Sequence, residues 1–220
     1  MLHRDRLRYL ELRPALSCKS AIVVYDIGAH HGEFASLIAH SRNVSAIYCF
    51  EPVSGIFVKL VERTQQFKKV QCFRIALGSE NSICRMHVND FTPSSSILRM
   101  TSTHVEEYPF TRNSHKEEVQ MVTLDEAVQL YGLAPPDFIK IDVQGYEDRV
   151  IQGGVNIVNK AKYCMIELSL VNLYEEGTLI TDMNSLMRKL GFRLVGIIGW
   201  NVGRSGEILQ LDGLYKNEKA

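Results

Sequence analysis

An apolar run that ends in an acid, turns on glycines and passes into a helix-like pattern constrains this chain more than any other stretch. It reads VVYDIGAHHGEF, residues 23–34. Val23, Val24 and Tyr25 are strand formers, Gly28 and Gly32 punctuate a turn, and the stretch 33–40 fits a short helix. A second run, SAIYCFE, ends on Glu51. Together they read as strand–turn–helix–strand with a carboxylate at each strand end. Small residues let a backbone approach a ligand, and an acidic side chain accepts hydrogen bonds from ribose hydroxyls, so the unit suits a nucleoside.

The alternation continues along the chain. After a strand at 21–26, a helix at 33–40 and a strand at 45–51, residues 53–67 place Val53, Ile56, Phe57, Leu60 and Val61 at helical spacing. A third strand is expected at 70–75. The middle, 79–118, breaks the pattern and reads as a hairpin plus an irregular loop, longer than a connector needs, so it is expected to cover a site. Residues 119–123 read as a further strand. Thr123 and Glu126 have capping-box spacing before a helix at 124–130. Strands follow at 137–143 and 162–168, with helices at 146–152 and 181–190. The closing stretches 192–198 and 208–216 are joined by the GRSGE turn as a hairpin. Repeated strand–helix units imply an α/β fold with a mostly parallel sheet, helices on both faces, and an antiparallel strand added at one side by the hairpin. The organisation expected is a lead-in over 1–19 and a single domain over 20–220, with the insertion at 79–118.

Composition narrows the function. Lys and Arg number 25 and so do Asp and Glu, so the formal net charge is zero. Broad electrostatic binding of nucleic acid needs a basic excess, so no nucleic-acid partner is expected. The early cluster Arg4, Arg6, Arg8 and Arg13 is partly offset by Asp5 and Glu11 and reads as a solvated helix face. Five cysteines, Cys18, Cys49, Cys72, Cys84 and Cys164, form no CxxC pair, which points to a reducing compartment without disulfides or a zinc site. No run approaches the ~20 apolar residues of a membrane span, and the first residues lack the apolar core of a signal peptide. The cytoplasm is the default location.

In a doubly wound sheet, ligands sit beyond the carboxyl ends of the strands. That draws attention to Asp26, Gly28, Gly32, Glu51, Ala76, Asp142, Gln144 and Glu167. GAHHGE does not supply the three glycines of the dinucleotide fingerprint, and no GK[ST] is present. A nucleoside ligand without a pyrophosphate is therefore favoured, and S-adenosylmethionine fits. The turn Gly28–Ala29–Gly32 faces its methionine portion, Glu51 its ribose, and Ala76 and Leu77 its adenine. His30 and His31 are adjacent and are expected to point apart, so no metal set is assigned, although Asp142 with Glu167 could contribute to one. His104 and His115 are expected to be exposed. Trp200 and Asn201 fall in the loop of the closing hairpin and could wall a substrate.

Four segments then carry a family likeness: VYDIGAHHGEF, CFEP at 49–52, ALGS at 76–79 and FIKIDVQGYEDRVIQGG at 138–154. With SSSIL, TLDE, IELS and LGFRLVGI they make the chain resemble the FkbM methyltransferases from about residue 23 to 215. The resemblance implies a Rossmann-like class I methyltransferase fold with a seven-stranded sheet. It also implies S-adenosylmethionine as cofactor, and O-methylation of a hydroxyl on a sugar or natural-product small molecule by in-line transfer. The candidates for the base are Asp142, Glu147, Glu167 and the histidines, with Asp142 first because it ends the strand neighbouring the Gly-rich one and Glu167 next; Gln144, Lys140 and Ser95 are expected at the acceptor. Family members usually read DVEG, where this chain has Gln144, an amide that hydrogen-bonds but cannot act as a base. Two other readings compete. One is a non-catalytic member that binds cofactor or partner. The other is an NAD(P)-dependent oxidoreductase, disfavoured by the missing fingerprint. Acceptor identity and oligomeric state are not legible.

Overall fold

The structure, a computed structural model, describes residues 12, 15–17, 21–89, 94–111 and 113–219. The arginine cluster, Cys18 and most of the 1–19 lead-in lie outside the described residues. Leu12 and Leu16, which do not, are buried against the main sheet.

The first strand, β1 (Ile22–Ile27), is buried along its whole length, which is why it reads as a continuous apolar run. It is followed by α1 (Glu33–Ala39), β2 (Val44–Phe50), α2 (Ser54–Thr64) and β3 (Val70–Phe73). After the middle segment come β7 (Phe138–Ile141), α5 (Glu147–Gln152), α6 (Val155–Val158), β8 (Tyr163–Ser169), α7 (Ile180–Leu190), β9 (Phe192–Val202) and β10 (Ile208–Asn217). These strands form one seven-stranded sheet in the order β3-β2-β1-β7-β8-β10-β9. β10 runs antiparallel to both β8 and β9. The antiparallel strand is therefore inside the sheet, not at its side. The crossover through α7 carries β9 one place beyond β8, and the hairpin returns β10 into the gap. Both hairpin strands are longer than expected, so Trp200 and Asn201 belong to β9 and not to a loop.

Pleating sends alternate residues to opposite faces. Tyr25, Ile27, Ile139, Ile141 and Ile166 pack one layer of core with Leu124 and Ala127 and with residues of α5 and α7. Ile22, Val24, Phe138 and Met165 pack the other, with Ile38 of α1 and Leu60 of α2. Cys49 and Cys164 are buried among these layers as small hydrophobes.

The insertion is more ordered than its sequence suggests. It holds β5 (Ser82–Asn89), α3 (Ser102–Glu107), a short 3-10 turn (Pro109–Thr111) and β6 (Ser114–Thr123), preceded by β4 (Ala76–Gly78) and followed by α4 (Leu124–Tyr131). β4, β6 and β5 make a separate three-stranded sheet in that order. The strand expected at 119–123 is thus the end of β6 in this second sheet, and the expected hairpin is β5 with β6. Thr123 does cap α4, accepting from the Glu126 amide at 3.2 Å. The reciprocal half of the box is made by Asn81, whose side chain accepts from the Thr123 amide and donates to the Glu126 carboxylate.

Candidate active site

A cavity of about 740 Å³ lies at the carboxyl ends of β1, β2, β7 and β8. Its first end is built by the glycine turn. Gly28 has φ +74°, and a Cβ there would overlap the Asp142 carbonyl oxygen, so only glycine lets β1 and β7 close together at this point. The amides of Gly28 and Ala29 both donate to the Phe50 carbonyl at 3.0 Å, which draws the turn over the end of β2. Glu51, buried there, accepts from the His30 amide at 3.1 Å and from the Val53 amide at 3.0 Å. Burial raises its carboxyl to about 7. Each oxygen has accepted one backbone hydrogen bond and retains a lone pair for a further donor. Ala29, Phe50, Ile75, Ala76 and Leu77 supply an apolar wall beside it.

Asp26 and Gly32, both expected to touch cofactor, do not line the cavity. Asp26 is fully buried one layer below, where its carboxylate makes no hydrogen bond among the described residues and lies 3.5 Å from Lys140 Nζ. Burial raises it to about 6. Gly32 sits behind the turn against Leu60 and Thr64, with φ +79°, where it starts α1.

Lys140 is the bridge to the second end. Its Nζ is 3.2 Å from Asp142, and it donates to the Gly28 carbonyl at 3.3 Å. Burial opposes its charge, but Asp142 and Asp26 more than offset that and raise its pKa. Burial likewise works to raise Asp142, and Lys140 with a Gln144 hydrogen bond holds it below the usual carboxylate range.

Gln144 is the hub of this end. Its φ is +59°, a left-handed conformation imposed by the turn around Glu147, whose Oε1 accepts from the Val143 and Gly145 amides at 3.0 and 3.1 Å. The Gln144 amide nitrogen donates to Asp142 Oδ1 at 2.9 Å and to Glu167 Oε2 at 2.8 Å. Its own oxygen accepts from the Tyr174 hydroxyl at 2.8 Å, and its backbone carbonyl accepts from Ser96 Oγ at 2.6 Å. Gln210 donates to the same Glu167 oxygen at 2.8 Å. Burial pushes Glu167 well above the usual range, reinforced by Asp142, Glu147 and Asp212.

The insertion covers this end, with Ser94, Ser95, Ile97, His104, Tyr108 and Phe110 on its wall. His104 is buried, contrary to its expected exposure. It packs edge-on to Tyr174 at 5.0 Å because α3 turns it inward. Burial lowers it to about 4, so it is neutral near pH 7. From the other side come Trp200, Asn201, Gln210 and Asp212. Ala76, Leu77, Lys140, Asp142, Gln144, Glu167 and Ser95 therefore meet on one cavity as the strand-end argument expects. Tyr174, Gln210, Asp212 and His104 were not foreseen. The one available signal was the even parity of Gln210 and Asp212 in a strand whose neighbours a sequence does not reveal.

His30 and His31 do not point apart. The left-handed φ of His30, +49°, brings the rings to 3.8 Å between centroids. With Glu33 they bring three ligand atoms within 4.8 Å of one another, and Arg63 pairs with the same Glu33 carboxylate.

Comparisons with known proteins show the family of the chain. The model of the Methyltransferase FkbM domain matches residues 26–194. Two curated relatives are the 2-O-methyltransferase NoeI of Sinorhizobium fredii and the hexuronic acid methyltransferase AglP of Haloferax volcanii. The first is 29% identical over 79% of this chain and 71% of its own length. The second is 23% identical over 77% and 68%. Among solved structures, M. capricolum TrmK bound to S-adenosyl-homocysteine aligns with a TM-score of 0.54 and 8% identity, covering 94% of this chain and 68% of that one. A precorrin-6y C5,15-methyltransferase from Geobacter metallireducens aligns at 0.52 and 11%, covering 97% and 89%. At such identities the structural likeness shows the fold alone.

Proposed function

The chain belongs to the FkbM methyltransferase family and uses S-adenosylmethionine; on that premise we propose that it O-methylates a hydroxyl of a sugar or sugar-like small molecule, with Glu167 as the base. Family membership sets aside the oxidoreductase reading. The observation that carries the proposal is the pairing of two ends in one cavity: a glycine turn with a buried acid, and a clasped pair of carboxylates. Both curated relatives carry methyltransferase names, one naming a 2-O position and the other a hexuronic acid.

The cofactor end fits the group. Glu51 is desolvated yet keeps acceptor capacity, which two ribose hydroxyls would satisfy, and the glycine turn leaves no side chain in their way. Ala76 and Leu77 would flank the adenine. When bound, S-adenosylmethionine would supply an electrophilic methyl group whose leaving group is a neutral thioether, open to in-line attack by an oxygen nucleophile. The chain's part is to align that oxygen and to accept its proton. Geometry favours Glu167 over Asp142: Asp142 is ion-paired with Lys140 at 3.2 Å, whereas the hydrogen-bond partners of Glu167 are the Gln144 and Gln210 amides. Gln144 and Gln210 fix the Glu167 carboxylate through Oε2, leaving Oε1 for the acceptor hydroxyl. Asp142 then serves as the fixed negative charge between the two ends. The amide at 144 is thus compatible with turnover, because the proton goes to its neighbour.

Calorimetric titration with S-adenosylhomocysteine tests the first half: Glu51→Ala weakens binding at least tenfold. Methyl transfer to a glycoside acceptor tests the second. Glu167→Gln reduces kcat by roughly 10²-fold or more while S-adenosylhomocysteine affinity stays within threefold. Full turnover in Glu167→Gln would remove it as the base and return the role to Asp142.

A further inference from the structure

Two carboxylates of the acceptor end are bridged by one amide, and that amide is itself held at its far end. We propose that Tyr174 is a positioning residue for methyl transfer: by bonding the Gln144 side-chain oxygen it keeps the amide between Asp142 and Glu167. The inference rests on the O-methylation reading above and deepens it.

A primary amide has two N–H donors and one carbonyl oxygen. In Gln144 both donors are committed, one to Asp142 Oδ1 at 2.9 Å and one to Glu167 Oε2 at 2.8 Å. The oxygen accepts from the Tyr174 hydroxyl at 2.8 Å. Together the three bonds hold one orientation, since turning the amide over would set its oxygen against two carboxylates. Burial pushes the Tyr174 hydroxyl well above the usual phenol range, so it stays a donor at neutral pH. The same hydroxyl lies 3.3 Å from the Ser94 carbonyl, a longer and weaker contact.

Tyr174 is 2% exposed and is not part of the cavity wall, so it reaches the reaction through Gln144 and not by touching substrate. Its own place is fixed from several directions. The ring packs on Gly145, where a Cβ would come to 3.0 Å from the tyrosine Cβ and Cδ2. The His104 ring meets it edge-on at 5.0 Å. The backbone on either side is tied to the insertion: the Thr101 amide donates to the Leu173 carbonyl at 3.0 Å, and the Glu175 amide to the Arg99 carbonyl at 2.8 Å. A reacting carboxylate needs such support, because misplacement by about 1 Å costs roughly 10²-fold in rate. Without the hydroxyl, the buried amide oxygen loses a donor and the side chain turns toward another, drawing its N–H groups off the carboxylates. Those N–H groups favour the ionised form of Glu167, so their withdrawal raises its pKa.

The test compares the full chain with its Tyr174→Phe variant, which keeps the ring and removes the hydroxyl; circular dichroism checks that each variant is folded. With S-adenosylhomocysteine bound, the 13C carboxyl resonance of Glu167, assigned by its loss in Glu167→Gln, is followed against pH. Its midpoint is expected to rise by about 0.5 pH unit or more in Tyr174→Phe. Transfer from labelled S-adenosylmethionine to 4-nitrophenyl β-glucoside and β-galactoside is the second readout. There kcat falls roughly tenfold, while S-adenosylhomocysteine affinity stays within threefold. Gln144→Asn, whose shorter side chain does not span tyrosine and carboxylates together, raises the midpoint by itself, and adding Tyr174→Phe to it moves neither readout further. An unmoved midpoint in Tyr174→Phe, a kcat within twofold of the wild type, or a full effect of Tyr174→Phe on the Gln144→Asn background overturns the proposal and leaves the O-methylation reading standing. Full turnover by Glu167→Gln with the midpoint shift present passes the base to Asp142, bonded to the same amide, and keeps the role of Tyr174. If the wild type methylates neither glycoside, the failure belongs to the sugar reading, and the Glu167 midpoint alone decides for or against Tyr174.

Discussion

A single amide organises the acceptor end. Gln144 stands where two carboxylates would otherwise face each other, and it gives one N–H to each. Replacing it by glutamate would remove both donors and add a third negative charge in a buried place. Gln144→Glu is therefore expected to lose about 2 kcal/mol or more at pH 8. That is a fall in Tm of roughly 4 °C or more for a chain of this size. Part of the loss should return at pH 5, where a proton can bridge the carboxylates. Differential scanning fluorimetry at the two pH values checks this, and an unchanged Tm at pH 8 would show that the amide bridges carry no weight. The residues around Gln144 divide sharply in how legible they are from sequence. Asp26, Glu51, Asp142 and Glu167 each close an apolar run, and the end of such a run can be read locally. Tyr174 and Gln210 cannot be read this way. Nothing local to SLVNLYEE or ILQLDG says that those side chains turn toward residues 30 and 43 positions away.

The turn between β1 and α1 is the element on which the cofactor end depends. Gly28 combines a positive φ with backbone crowding from Asp142, whereas Gly206, at φ +86°, has open space around its Cα. Gly28→Ala is expected to abolish S-adenosylhomocysteine binding or the fold itself. Gly206→Ala meets conformational strain alone, roughly 1 kcal/mol, and should leave binding within threefold. Parallel titrations with circular dichroism decide between loss of site and loss of fold. Equal tolerance of both substitutions would mean that β1 and β7 can separate at no cost. Most elements of the main sheet were legible, because buried parallel strands announce themselves as continuous apolar runs and amphipathic helices by their period. The second sheet was less so. β4 is three residues long, and β6 begins in a polar stretch, so neither shows a clear alternation. The insertion of β10 between β8 and β9 is also hidden, because local pattern fixes a strand's existence and not its neighbours.

Over the whole molecule, stability against pH is a balance of two opposed sets. Asp26 and Glu147 have folded pKa values raised to about 6 and about 7 by burial. A raised carboxyl binds its proton more tightly folded than unfolded. Its contribution is complete below its unfolded pKa and is lost as pH rises through the folded one. His104, lowered to about 4 by burial, acts the other way: its contribution is present above the unfolded pKa and lost as pH falls toward 4. The two can be separated by difference. Asp26→Asn is expected to gain on the wild type by about 2 kcal/mol between pH 4 and pH 7, while His104→Phe gains on it as pH falls from 7 to 4. Urea unfolding at several pH values measures both, and parallel curves for variant and wild type would show that the group titrates as it does in the unfolded chain. No helix among the described residues is long and apolar enough to cross a membrane.

The insertion is fastened to the rest of the domain at several points, among them β6 along β4 and the Ser96 hydroxyl on the Gln144 carbonyl. Most of the seat proposed for the methyl donor is encoded before residue 79, and much of the cover proposed for the acceptor in one uninterrupted stretch after it. Recombination confined to that stretch of the gene could change what is methylated while the donor site is inherited whole, provided the serine that fastens the cover travels with it. Lineages of such chains are then expected to diversify by exchange of a contiguous block, with scattered point changes playing the smaller part.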